Sequence, residues 1–150
     1  MPEPRIRPAR AEDLPGIERL LTSESLPVFE AERFLDAFWV ADADGEVVGV
    51  VGLEIYEDTA LLRSVATAAS QRGAGLGGKL CRLAIEQARQ LGLRTLYLFT
   101  MNAAPFFAHF GFEPCEMEDF AEPARRSTQY SGLLQAPEFV AHLTKMRLSL

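Results

Sequence analysis

Apolar residues recur at two spacings along this chain, and the switches between them mark its elements. Ile6 stands between Arg5 and Arg7 as a short strand stopped at Pro8. Leu14, Ile17, Leu20 and Leu21 fall at helical intervals and predict an amphipathic helix over Glu12–Thr22. Pro15 lies in its first turn, where proline is tolerated. A second helix is expected over Glu30–Ala37, with Phe34 and Leu35 facing inward. Trp39–Asp42 reads as a strand, turned by Asp42-Ala43-Asp44-Gly45 into Glu46–Tyr56. That run is almost continuously apolar, as in a central strand buried on both faces. Thr59–Thr67 is the third strand of the meander. After a glycine-rich stretch, a helix is predicted from about Gly78 to Leu91, with Leu80, Ala84, Ala88 and Leu91 on one stripe and Gly92 as its stop. Arg94–Met101 is a buried strand, Pro105–Phe110 a short helix stopped by Gly111, and Phe112–Met117 a strand. Glu118–Glu138 is polar and proline-bearing with no clear period, and Phe139–Leu148 reads as a closing strand. A meander followed by strand–helix–strand predicts an α/β (α+β) fold, a mixed central β-sheet flanked by helices on both faces.

The 150 residues suit one domain spanning the chain, with no internal repeat, low-complexity tract or linker. A formal charge of −6 argues against a general nucleic-acid binder, which would show a basic face. It leaves room for a polyanionic ligand, because a helix start binds phosphate through backbone N–H groups. Cys81 and Cys115 are the only cysteines and read as reduced thiols rather than a disulfide frame. Met1–Pro8 alternates proline and charge, and no apolar run approaches the roughly 18 residues of a membrane span. The expected location is cytoplasmic, with no membrane partner.

Arg72-Gly73-Ala74-Gly75-Leu76-Gly77-Gly78-Lys79 lies between a predicted strand and a predicted helix, so its amides collect at a helix start and favour an anion. Gly73, Gly75 and Gly78 satisfy the dinucleotide pattern GxGxxG, yet the next strand ends Leu98-Phe99-Thr100-Met101-Asn102, without the acidic residue that would hold a ribose. Gly73–Lys79 also fits GxxxxGK, but Leu80 stands where a nucleotide hydrolase needs Ser or Thr for magnesium. Arg72, Gly75 and Gly77 meet a third pattern, [Arg/Gln]-x-x-Gly-x-[Gly/Ala].

That loop resembles the one in the GCN5-related N-acetyltransferase (GNAT) superfamily. Leu62-Arg63-Ser64-Val65-Ala66-Thr67 before it, Phe106–Phe112 with its Gly-Phe strand entry, and the opening Ile6-Arg7-Pro8-Ala9 with Asp13-Leu14-Pro15 are similar to the family's corresponding elements. Leu61–Val65, the Phe106-Phe107 pair and Ser127-Thr128-Gln129-Tyr130 resemble the arsenic-resistance-associated acetyltransferases and, more loosely, the acetyltransferase domain of N-acetylglutamate synthases. The resemblance implies a GNAT fold, acetyl-CoA as cofactor, a small amino-acid-like amine as acceptor, and a homodimer as one option.

By that resemblance the diphosphate of acetyl-CoA would rest on the amides of Arg72, Gly73, Ala74, Gly75, Leu76, Gly77 and Gly78, with Arg72 or Lys79 adding charge. Val65, Ala66 and Thr67 would pair with the pantetheine arm, the Val65 amide holding the thioester oxygen. The reaction would be direct attack by a neutral amine, without a metal. A protonated amine needs a base, and Glu54, near Glu57 and Asp58, is preferred over the alternative of a solvated turn carboxylate. The position where the family often has an acid Tyr is Phe107, so Ser64 is the candidate hydroxyl near the leaving thiolate. Thr100 replaces a frequent family Asn, with Asn102 close by, and the resemblance puts both, with Phe107, among the candidate cofactor contacts. Arg63, inside an apolar strand, suits a carboxylate substrate or a salt bridge to Glu54 or Glu57. Thr128, Gln129 and Tyr130 complete the substrate side, Arg125 and Arg126 read as solvated, and both cysteines as core. Acetylation of a protein or peptide amine, or a CoA-binding sensor without catalysis, are the competing functions.

Overall fold

A computed structural model describes residues 3–28 and 30–150. The strands β1 (Arg5–Pro8), β2 (Phe38–Ala43), β3 (Glu46–Tyr56), β4 (Thr59–Thr67), β5 (Thr95–Thr100), β6 (Glu113–Cys115) and β7 (Thr144–Ser149) form a mixed sheet in the order β1-β2-β3-β4-β5-β7-β6. The helices are α1 (Leu14–Ser23), α2 (Leu76–Gln90), α3 (Ala104–Ala108), α4 (Thr128–Leu134) and α5 (Pro137–Val140). Two compact units are distinguished, Met1–Leu53 with Leu62–Gln87 and Glu54–Leu61 with Ala88–Leu150.

In the first unit β2 pairs antiparallel with both β1 and β3. The hairpin turns through Asp44 and Gly45, at φ 52° and 89°, the mirror-type turn that matches strand twist. Ile17, Leu20 and Leu21 of α1 bury against Phe38, Val40 and Val50. Phe38 lies opposite Gly52 in the ladder, and a Cβ at position 52 would fall 2.2 Å from its ring. Glycine is needed there because the ring occupies the space of a side chain. Arg7 grips Asp13 with two hydrogen bonds of 2.8 and 2.9 Å and reaches Asp42 at 3.2 Å. The Arg7 hydrogen bonds hold the Asp13 carboxyl below the usual range, against the opposing effect of burial and with help from the Arg10 N–H.

The helix expected over Glu30–Ala37 is a 3-10 segment, Ala31–Ala37, whose Phe34 and Leu35 are only half-buried. Helix α2 begins at Leu76, two residues before the expected Gly78. Its stripe keeps Leu80, Ala84 and Ala88 fully buried, but Leu91 lies past the end and is 58% exposed, contrary to its expected inward position. The end itself is the anticipated glycine stop. Gly92 at φ 79° donates to the Arg89 carbonyl, and Leu93 donates to that of Ala88, both at 3.0 Å.

In the second unit β5 runs parallel to Thr59–Leu61 of β4 and antiparallel to β7, which also pairs with β6. Tyr97 and Phe99 stack on Phe120 at 4.3 and 5.2 Å, and the Tyr130 ring is tilted against it at 5.2 Å. The closing strand starts at Thr144, not at Phe139, which sits in α5 and is 48% exposed. The strand expected over Phe112–Met117 is confined to Glu113–Cys115. Glu118–Glu138 folds into brief 3-10 turns followed by α4 and the start of α5, each too short to show a hydrophobic period. No described helix is long and apolar enough to cross a membrane.

Candidate active site

The glycine loop is open. Gly73 and Gly75 have φ of 85° and 77°, and a Cβ at either would meet nothing within 4 Å. The buried side chain of Leu76 anchors the start of α2. The first helical bond runs from the Lys79 N–H to the Gly75 carbonyl at 3.1 Å. The amides of Leu76, Gly77 and Gly78 therefore precede it and lack intrahelical acceptors. Arg72 and Ala74 direct their N–H groups to the carbonyls of Ala69 and Gln71, so those two amides serve the turn itself. A bare backbone at a helix N-terminus fits a diphosphate in shape and charge. Lys79 is exposed beside it, whereas the Arg72 guanidinium is ion-paired with Glu24, a partner the sequence did not suggest.

Upstream in the same unit, Ser64 sits within β4 at φ 61°, a left-handed conformation that costs a non-glycine residue on the order of 1 kcal/mol or more. Its Oγ accepts the Arg63 Nε–H at 2.9 Å. Arg63 is buried at 6% exposure, with a terminal nitrogen 3.4 Å from the Pro27 carbonyl and its guanidinium carbon 5.8 Å from the Phe38 ring centre. Val65, Ala66 and Thr67 follow on the same strand.

The second unit gathers a polar cluster around Glu54. This carboxylate is only 1% exposed, so the alternative of a solvated turn group is overturned; Glu57 and Asp58 do occupy the exposed turn. Its Oε1 accepts the Tyr56 hydroxyl at 2.8 Å and the Ser127 hydroxyl at 2.9 Å, and its Oε2 accepts Gln129 Nε2 at 2.9 Å. Buried carboxylates persist when donors replace the lost water. Ser127 also caps α4, its Oγ accepting the Gln129 N–H at 3.1 Å. Tyr56 and Ser127 were missed from sequence. The signal for Tyr56 was present, since residues two apart on a strand share a face.

Thr128 is exposed at the start of α4. Tyr130 is buried, its hydroxyl donating to the Met117 carbonyl at 3.0 Å. Thr100 is buried and its Oγ1 accepts the Ala103 N–H at 3.0 Å, while Asn102 is exposed. Phe107 is buried edge-on against Phe106 and Phe112. Arg126 pairs with Glu57, and Arg125 donates to the carbonyls of Phe120 and Glu118. Both cysteines are core residues, and burial pushes the Cys81 thiol up to about 12 and that of Cys115 to about 11. Among the described residues no group of three or more His, Cys, Asp or Glu is arranged to hold a metal.

Solved structures share this architecture. A Mycobacterium tuberculosis protein in complex with CoA superposes with a TM-score of 0.83 at 25% identity, covering 98% of this chain and 99% of that one. N-acetylglutamate synthase from Neisseria gonorrhoeae, complexed with coenzyme A and N-acetyl-glutamate, gives 0.79 at 21% identity over 97% of this chain and 35% of that one. Among curated relatives, the amino-acid acetyltransferase of Aeromonas salmonicida is 29% identical over 136 residues, 83% of this chain and 30% of that protein. The amino-acid acetyltransferase of Mycobacterium tuberculosis is 31% identical over 126 residues, 75% of this chain and 70% of that protein. The chain spans from about a third to half the length of several curated relatives it matches. The acetyltransferase (GNAT) family model matches residues 6–112, so the chain with its open glycine loop belongs to the acetyltransferase (GNAT) family.

Proposed function

We propose that this chain transfers an acetyl group from acetyl-CoA to the amine of a small amino-acid-like metabolite by direct attack. The observation that carries the reading is the uncovered backbone at Gly73 and Gly75, leading into the start of α2, in a chain matching the acetyltransferase family. The amino-acid acetyltransferases among its relatives support the acceptor class. Acetyl-CoA supplies the activated acetyl thioester. The amides of Leu76, Gly77 and Gly78 bind its diphosphate, Lys79 adds charge, and Val65–Thr67 offer strand edges to the pantetheine arm, with the Val65 N–H polarising the carbonyl.

The acceptor arrives mostly as an ammonium ion and must lose a proton. Glu54 is enclosed, so its oxygen is reached through a hydroxyl rather than directly. Tyr56 Oη takes the ammonium proton while passing its own to Glu54 Oε1, across the 2.8 Å bond between them. Ser64 Oγ receives the Arg63 N–H, leaving its own hydrogen to donate to the departing sulfur. Arg63 is the proposed partner of a substrate carboxylate. A link to arsenic resistance rests on sequence resemblance alone.

The test is acetyl-CoA turnover with a panel of free amino acids, followed as thiol release. Turnover with free amino acids is expected, and Glu54→Gln should lower kcat near pH 7 with the loss recovered at high pH, where free amine prevails. Activity confined to peptides would replace this reading with protein or peptide acetylation. Binding of acetyl-CoA with no turnover on either would make the chain a sensor, which the absence of a hydroxyl at Phe107 would then explain.

A further inference from the structure

A carboxylate offers acceptors only, and this decides how Gln129 is set. Its side-chain amide meets Glu54 Oε2 at 2.9 Å, a bond that exists only if Nε2 faces the carboxylate. The opposite setting would bring two oxygens together inside a buried cluster, where unpaired polar atoms are costly. The backbone of Gln129 is pinned as well, because its N–H donates to Ser127 Oγ at 3.1 Å while the Ser127 hydroxyl donates to Glu54 Oε1 at 2.9 Å. One buried carboxylate thus fixes both ends of this residue. Gln129 is half-buried, and its Oε1 has no hydrogen-bond partner among the described residues.

We propose that Glu54, beside accepting the proton through Tyr56 at Oε1, acts through Oε2 as a positioning group that locks the Gln129 amide with its carbonyl oxygen turned outward, where it accepts an N–H of the incoming primary amine. This deepens the acetyltransferase reading and rests on it for the identity of the bound group. The lock selects acceptors that bring an N–H donor and disfavours those that present only an acceptor oxygen, because the Oε1 would then go unpaired. It also orients the nitrogen by one of its hydrogens, leaving its lone pair to be aimed elsewhere.

Two measurements test it, one independent of turnover. In 15N-labelled protein the Gln129 side-chain amide is assigned by its loss in Gln129→Leu. Its two protons should be widely separated, with the carboxylate-bound one downfield and slow to exchange, and Glu54→Gln should collapse that separation. If Glu54→Gln does not fold, Glu54→Asp, which keeps the charge but shortens the reach, should narrow it. The kinetic arm expects Gln129→Leu to raise KM for the accepted amine about tenfold or more, the usual scale of a hydrogen bond to a charged group, with KM for acetyl-CoA unchanged. That rise should be smaller in a Glu54→Gln background, because the lock is already released. An amide resonance indifferent to Glu54, or an active enzyme whose KM ignores Gln129→Leu, overturns the proposal. A wild-type protein inert toward every amine refutes the acetyltransferase reading instead, and the amide resonance then still decides whether Glu54 sets Gln129.

Discussion

At the scale of single residues, Ser64 and Glu54 show how a polar side chain inside an apolar strand divides into what is legible and what is not. The sequence marks Glu54 as out of place between Leu53 and Ile55, and Ser64 as polar, beside Arg63, in an otherwise apolar strand. It does not reveal the left-handed backbone of Ser64, at φ 61°, because β-strand statistics would assign any serine there an extended conformation. Nor does it reveal the company of Glu54, since Ser127 and Gln129 lie 73 and 75 residues away. Backbone and hydroxyl at Ser64 can be separated by two variants. Ser64→Gly should stabilise the protein by about 1 kcal/mol by relieving the positive φ, whereas Ser64→Ala keeps the strain. Both remove the hydroxyl and should lower kcat by about tenfold or more if it assists the leaving group. Thermal melts and steady-state rates of the pair read the two effects apart, and full activity in either variant discards the assigned role.

Elements were read best where one strong period governs. The bounds of β3 and β4 follow from two mostly apolar runs and the turn between them, and α1 from a clean helical stripe. Reading failed where apolar residues continue past an element's end, as at Leu91 and at Phe139–Leu143, since hydrophobicity alone does not say where hydrogen bonding stops. It also failed through Glu118–Glu138, whose short helices depend on caps and on the Phe120 stack rather than on period. The cross-strand fit of Phe38 over Gly52 belongs to this scale. Gly52→Ala should cost about 1–3 kcal/mol, the range for overfilling a packed core, and Phe38→Leu in the same chain should recover part of it. Urea midpoints of the single and double variants check this, and an unperturbed Gly52→Ala would mean that the ring yields freely.

For the whole molecule, acid is the informative stress. The Asp13 carboxyl is stabilised in its charged form by Arg7, so its native titration lies below the roughly 3.9 of an unfolded aspartate. The stabilisation is therefore complete above about pH 4 and is lost as pH falls through the lowered native value. Asp13→Asn should cost about 2 kcal/mol near neutrality, because Arg7 loses one charged partner and keeps only Asp42, and its urea midpoint should vary less than that of the wild type below pH 4. Parallel curves for the two proteins would show that other carboxylates govern acid unfolding. The two core cysteines carry a practical corollary. Buried and far from ionising at neutral pH, they should not colour an aromatic disulfide reagent while the fold is intact. Yellow developing with acetyl-CoA then reports only coenzyme sulfhydryl, and a burst of two further equivalents on heating or in denaturant becomes a built-in meter of how many molecules have come apart.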